Sequence, residues 1–255
     1  MNISELLRSG KERLKGHHIE QFRLEAELLL AHILNSTREA LLAHPESEVS
    51  KRWEKEYDRL LEQRGQGTPL AYLLGYKEFY HSTFRVNSEV LIPRPETELL
   101  VEEVWKYYHN TASENVSVII DVGTGSGCIP ISILERSPEK EIKVLATEIS
   151  SEALKVAYNN ALEHQVEKCI KFLYGDLLLP VFENIKDIKN EQEVIITANL
   201  PYVTRDIYEN SSIIWAEPQQ ALLGGGSDGL DLYRKFFQQL RVLKQKSPIR
   251  FTVFC

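Results

Sequence analysis

The sharpest chemical constraint in the chain is the run Asn199-Leu200-Pro201-Tyr202. An amide or exocyclic amine nitrogen is a poor nucleophile because its lone pair is delocalised. A catalyst that alkylates it must hold both N–H groups with acceptors and aim the nitrogen at the electrophile. The Asn199 side-chain oxygen and the Leu200 carbonyl supply two such acceptors, and Tyr202 can cover a flat amide or base. The run follows an apolar strand, and ligands of parallel sheets sit beyond the carboxyl ends of the strands. The plainer alternative is a strand closing in a proline turn.

A second cluster precedes it. The apolar segment Val116–Ile120 leads into Asp121-Val-Gly123-Thr124-Gly125-Ser126-Gly127-Cys128, a three-glycine turn of the kind that brings main-chain N–H groups up to a cofactor. A dinucleotide fingerprint wants its third glycine one place later, where Cys128 stands, so the spacing tilts the reading from NAD to S-adenosylmethionine. Either cofactor calls for an acid after the next strand to accept ribose hydroxyls. Glu148 fills that place, although an exposed acid entering a helix would look the same. Asp176 in Tyr-Gly-Asp-Leu could meet the exocyclic amine of an adenine while Leu177 packs on the ring, or could be a turn aspartate.

These residues need a frame. Residues 1–75 read as short helices: Phe22, Leu24, Leu28, Leu29 and Ile33 recur at helical spacing, Ser36 with Glu39 forms a capping-box pattern, and Ser50 begins a helix striped by Trp53, Tyr57, Leu60 and Leu61. Residues 76–93 suggest a short β-hairpin connector turning at His81-Ser82. From residue 94 to 255, a helix carrying Leu99, Leu100, Val104, Trp105 and Tyr108 is followed by strand-like runs at Val116–Asp121, Lys143–Thr147, Cys169–Tyr174, Val194–Ala198 and Ile249–Phe254. Helices from about Cys128, Glu152 and Asp228 alternate with them. That alternation predicts an α/β fold, a parallel sheet with helices on both faces.

Composition excludes other classes. A hydrophobic share of 43% and a charged share of 26% are those of a globular protein rather than a disordered or fibrous one. A net charge of −7 argues against bulk binding to a phosphate backbone. Residues 1–80 hold 12 basic and 13 acidic side chains, so the acidic excess falls later and a local basic face on the first part stays open. Three cysteines without metal-ligand spacing, and neither an apolar leader nor a membrane-length apolar run, point to a cytoplasmic protein with no metal and no membrane contact.

At this point the sequence resembles the N5-glutamine methyltransferases of peptide chain release factors. The resemblance spans nearly the whole chain: Leu-Leu-Ala-His-Pro-Glu, Pro-Leu-Ala-Tyr-Leu-Leu-Gly, Leu-Ile-Pro-Arg94-Pro-Glu-Thr-Glu, the glycine turn, the Asn199 run and Asp-Gly-Leu-Asp-Leu-Tyr. It implies a Rossmann-like class I methyltransferase sheet behind a small helical domain that docks a release factor. It also implies transfer of a methyl group from S-adenosylmethionine to the glutamine of a Gly-Gly-Gln tip. Carried over by motif, Gly123 to Gly127, Glu148, Asp176, Leu177 and Asn199 hold the cofactor, and Asn199 to Tyr202 clamp the substrate. Two departures stand out. Leu200 replaces the family's proline, which frees φ and adds an N–H, so weaker positioning is expected. The chain also stops at Phe254-Cys255, where relatives continue with a helix and two strands, and Lys244–Pro248 lacks the expected glycine turn, so the C-terminal strands look truncated. Competing readings are an adenine-N6 DNA methyltransferase, which would need a basic surface and a flipped base, and a cofactor-binding relative without turnover.

Overall fold

Apolar residues at helical spacing before position 75 fold as α1 (Ile3–Gly16), α2 (Phe22–Ile33), α3 (Arg38–Ala43), α4 (Lys51–Gly65) and α5 (Leu70–Leu74). The computed structural model describes residues 1–109, 116–137, 142–184, 193–211, 215–246 and 249–255. The chain divides into two compact units, Met1–Gly75 and Tyr76–Cys255. In the first, Asn2 and Glu5 cap α1 reciprocally: the Asn2 side chain accepts from the Glu5 N–H at 2.9 Å and the Glu5 carboxylate from the Asn2 N–H at 3.0 Å. Leu6, Leu14, Leu29, Leu30 and Leu61 fill its core around the buried Tyr57. The cap of α3 falls one residue later than Ser36: Thr37 accepts from the Ala40 N–H at 3.2 Å. Ser50 stands at the N-cap of α4 without a side-chain bond.

The second unit opens with the hairpin β1 (Tyr76–Phe79) and β2 (Ser82–Arg85). Its turn is Tyr80-His81, both at positive φ, one residue earlier than the sequence suggests. Phe79 and Phe84 are buried in the main core of this unit. The order then runs α6 (Glu96–Tyr107), β3 (Val116–Val122), α7 (Cys128–Glu135), β4 (Lys143–Glu148), α8 (Ser151–Glu163), β5 (Ile170–Tyr174), α9 (Val181–Asn184), β6 (Glu193–Ala198), α10 (Arg205–Asn210), α11 (Asp231–Lys246) and β7 (Arg250–Phe254). Ser247 and Pro248, at the end of the segment read as lacking a turn glycine, lie outside the described residues.

The predicted α/β architecture is present. The sheet order is β5-β4-β3-β6-β7 and every pair is parallel. Alternate residues of the two central strands serve opposite faces. Ile119 and Ile195 join a core with α6 and α7, while Val118, Ile120, Val122, Val194, Ile196 and Ala198 join a core with Phe236, Leu240 and Leu243 of α11. Such strands are buried on both sides, which is why they read as continuous apolar runs. Helix α11 starts at Asp231 rather than Asp228, because Gly229 is left-handed and the Asp228 carboxylate accepts from the Leu230 N–H at 3.2 Å. Among the described residues, no helix is long and apolar enough to cross a membrane.

Candidate active site

The carboxyl ends of β3, β4, β5 and β6 deliver four sequence motifs to one cavity of about 240 Å³, whose wall includes Gly123 to Ser126, Glu148, Asp176, Leu177 and Asn199 to Pro201. Gly127 lies outside that wall and serves as the left-handed N-cap of α7. Gly125 has φ +55°, and a Cβ added there would meet no atom within 4 Å, so the backbone presents an open cradle. The loop is tied from behind by a residue the sequence reading did not single out. Asn160, fully buried on α8, donates to the Ser126 carbonyl at 2.8 Å and to the Arg85 carbonyl at 3.1 Å, and accepts from the Arg85 N–H at 2.8 Å.

Glu148 ends β4 with its carboxylate fully oriented. It accepts the N–H groups of Gly125 at 3.0 Å, Ile149 at 2.8 Å and Ser150 at 3.0 Å. Asp176 is not free: Lys235 of α11 is ion-paired to its Oδ2. Leu177 is buried at φ +51°, a conformation a leucine adopts only when its surroundings impose it. The turn is tied on both sides: the Gly175 N–H donates to the Glu148 carbonyl at 2.9 Å and the Leu178 N–H to Gln239 of α11 at 2.8 Å.

Below the loop, Asp121 is 1% exposed and accepts from the Thr197 hydroxyl at 2.6 Å, while its Oδ2 has no partner among the described residues. Burial pushes its carboxyl up to about 6, partly opposed by the Thr197 hydroxyl. The Thr124 and Thr147 hydroxyls, both in the cavity wall, are also buried without partners among the described residues. The Cys128 thiol at the cavity floor is pushed by burial up to about 12, so it is an inert wall atom rather than a nucleophile.

The tetrapeptide stands between this cavity and a second one of about 530 Å³, and Arg94, Thr97, Asn199, Leu200 and Pro201 line both. Asn199 donates its Nδ2 to the Thr97 hydroxyl at 3.1 Å. Leu200 is 2% exposed, and one of its methyls lies 3.3 Å from where a Cβ on Gly123 would be. Leu200 belongs to the core cluster that Tyr233 of α11 packs against, and burial raises the Tyr233 phenol. Tyr202 is 62% exposed at the edge of the second cavity. Arg94 is ion-paired to the buried Glu217, which also accepts from the Ile92 N–H at 3.1 Å.

Two family models match the chain: the PrmC N-terminal domain over residues 5–75 and the methyltransferase small domain over residues 96–206. A release factor glutamine methyltransferase of Bacillus cereus is 34% identical over 230 residues, 89% of this chain and 78% of the relative. The chain belongs to the release factor glutamine methyltransferase family. The Coxiella burnetii member of the family is 37% identical over 208 residues, 82% of this chain and 70% of its own. A solved structure of the hMettl16 catalytic domain shares the fold at a TM-score of 0.50 and 16% identity, covering 76% of this chain and 66% of that one.

As a family member the chain is a methyltransferase whose cofactor is S-adenosylmethionine. The cavity suits that molecule: a glycine cradle and a carboxylate flank it, and the orphaned hydroxyls of Thr124 and Thr147 leave polar capacity to be met. Thr97, Asp121, Asn160 and Glu217 complete the arrangement but were not picked as site residues from sequence. Thr97 and Asp121 sat inside the quoted motifs, whereas Asn160 and Glu217 carry no local signal because their partners are distant in sequence.

Proposed function

We propose that this chain transfers a methyl group from S-adenosylmethionine to the side-chain amide nitrogen (N5) of the glutamine in the Gly-Gly-Gln motif of peptide chain release factors. One observation carries the reading: Asn199, Leu200 and Pro201 separate the glycine-lined cavity from a second cavity edged by the exposed Tyr202. A segment that must accept N–H groups from one molecule and face the methyl of another belongs between two cavities.

In this reading Glu148 takes the ribose hydroxyls, the Gly123 to Gly127 turn cradles the methionine part, and Asp176 with Leu177 takes the adenine. The Asn199 side-chain oxygen and the Leu200 carbonyl accept the two N–H groups of the glutamine amide and aim its nitrogen, while Pro201 and Tyr202 shape the slot for the flat amide. S-adenosylmethionine supplies an electrophilic methyl on a sulfonium. The balance is one amide N–H plus that methyl giving an N-methyl amide, a thioether and a proton. Residues 1–75, which hold the match to the PrmC N-terminal domain over 5–75, dock the release factor in this reading. The reaction runs in the cytoplasm, where the free thiols of Cys128, Cys169 and Cys255 persist.

The test is mass spectrometry of a purified release factor incubated with the chain and S-adenosylmethionine. One added methyl on the glutamine of the Gly-Gly-Gln tip, lost with Asn199→Ala while cofactor binding persists, is the expected result. An unmodified glutamine despite measurable cofactor binding would overturn the proposal.

A further inference from the structure

A primary amide has two faces of opposite character: one branch accepts and the other only donates. If Asn199 is to take an N–H from a substrate amide, its oxygen must be turned toward that substrate. Turned the other way, two N–H groups would confront each other. Nothing in an isolated asparagine side chain favours one orientation, because the two differ by a half rotation about its last single bond. In this structure one branch is taken up by a neighbour.

That neighbour is Thr97. Its hydroxyl accepts from the Asn199 Nδ2 at 3.1 Å, which leaves Oδ1 on the branch pointing away from Thr97. Thr97 is 8% exposed and lines both cavities with Asn199, so the bond sits in the wall they share. Its own backbone is fixed. Thr97 is the second residue of α6, its N–H donates to the Arg94 carbonyl at 3.0 Å, and Arg94 is anchored by the buried Glu217 carboxylate that also takes the Ile92 N–H. The start of α6 is thereby held while the end of β6 delivers Asn199 to it.

We propose that Thr97 is a positioning residue for methyl transfer, anchoring the Asn199 carboxamide through its Nδ2 branch so that the opposite branch, Oδ1, is held toward the substrate amide. The proposal rests on Asn199 being the acceptor for that amide. Thr97 touches neither reacting atom; it acts through Asn199.

Three variants separate this role from simple packing. Thr97→Val keeps the shape and removes the acceptor, Thr97→Ser keeps the hydroxyl, and Asn199→Ala removes the group being positioned. On a release factor substrate, Thr97→Val should lower kcat roughly five- to tenfold, the worth of one hydrogen bond. The KM for release factor and the Kd for S-adenosylmethionine should stay within about twofold, and Thr97→Ser should recover most of kcat. Wild-type kcat in Thr97→Val, or an equal loss in Thr97→Ser, would overturn the proposal. A readout independent of turnover is the side-chain N–H2 signal of Asn199 in asparagine-labelled protein. One of its protons should be slow to exchange in the wild type and in Thr97→Ser and fast in Thr97→Val. Fast exchange of both protons in the wild type would refute Thr97 as the anchor. A wild-type protein that shows the slow proton but methylates nothing would instead sink the proposed function and leave the hydrogen bond standing.

Discussion

Asp121 ties the stability of the fold to pH. Its carboxyl is buried, holds one hydrogen bond from Thr197, and is pushed from an ordinary 3.8 up to about 6. The folded state therefore prefers the neutral acid. Stability from this group is fully present below the unfolded value and is lost as pH rises through about 6. The complete loss, reached near pH 8, is about 3 kcal/mol, and at about pH 5 roughly half of it has developed. Asp121→Asn removes the titration and keeps an oxygen for Thr197, but it places an N–H2 where Oδ2 now lacks a partner, a pH-independent cost of about 1–3 kcal/mol. The informative quantity is a difference of differences. Relative to the parent, Asp121→Asn should gain about 1.5 kcal/mol between about pH 5 and pH 8. Urea denaturation of both proteins at the two pH values measures it, with other titrating groups cancelling. A stability difference that is flat with pH, or that shifts against the variant, would refute the assignment.

Three other perturbations follow from the site. In Glu148→Gln the amide can keep the Ile149 and Ser150 N–H groups but must turn N–H2 toward the Gly125 N–H, now bonded at 3.0 Å. Disturbing that cradle should raise the calorimetric Kd for S-adenosylmethionine at least roughly tenfold, and an unchanged Kd would show that the bond does not shape the site. Gly229→Ala would put a methyl 2.2 Å from the Tyr202 carbonyl at a residue with φ +76°. Displacing Tyr202 should cut kcat at least roughly tenfold while circular dichroism stays native, and full activity would mean the loop does not brace the tetrapeptide. Leu200→Pro would install the residue that the family resemblance implies but replace a leucine side chain that is 2% exposed in the core. It should lower stability by about 1–3 kcal/mol in denaturant melts without raising kcat, and a faster enzyme would show that a loose φ at Leu200 is the limit instead.

Legibility followed the range of the interactions. The three-glycine turn, the alternation of strands and helices, and an asparagine just past a buried strand are local patterns, and they led to the fold and to the residues of one cavity wall. Helix ends were off by small steps where neighbouring residues have equal claims: Ser36 and Thr37 can both cap, and the register of Arg38 decides for Thr37. Side-chain orientation was not legible. Asp176 lies in the cavity wall, but no pattern near it announces the Lys235 that pairs with it. Thr97 and Asn199 are 102 residues apart, and Arg94 and Glu217 are 123 apart. Such pairs exist only once the sheet has closed.

The same range argument bears on Leu200, where the family resemblance implies a proline. A proline fixes φ by itself, through a covalent ring that needs no neighbours. Leu200 must obtain an equivalent restraint from packing, and helix α11 supplies part of it. Leu200 packs in one core cluster with Phe236 and Leu240, against which Tyr233 also rests, while Lys235 and Gln239 of the same helix hold Asp176 and the Leu178 N–H. The helix is itself seated by Phe236, Leu240 and Leu243 in the core. Its entry is fixed by Arg234, whose guanidinium beside Asp228 brings that carboxylate down to about 2. The Gly175–Leu178 loop and Leu200 thus share one support, helix α11. A covalent ring would restrain φ at one residue alone, whereas a helix seated in the core contacts both sides of the site.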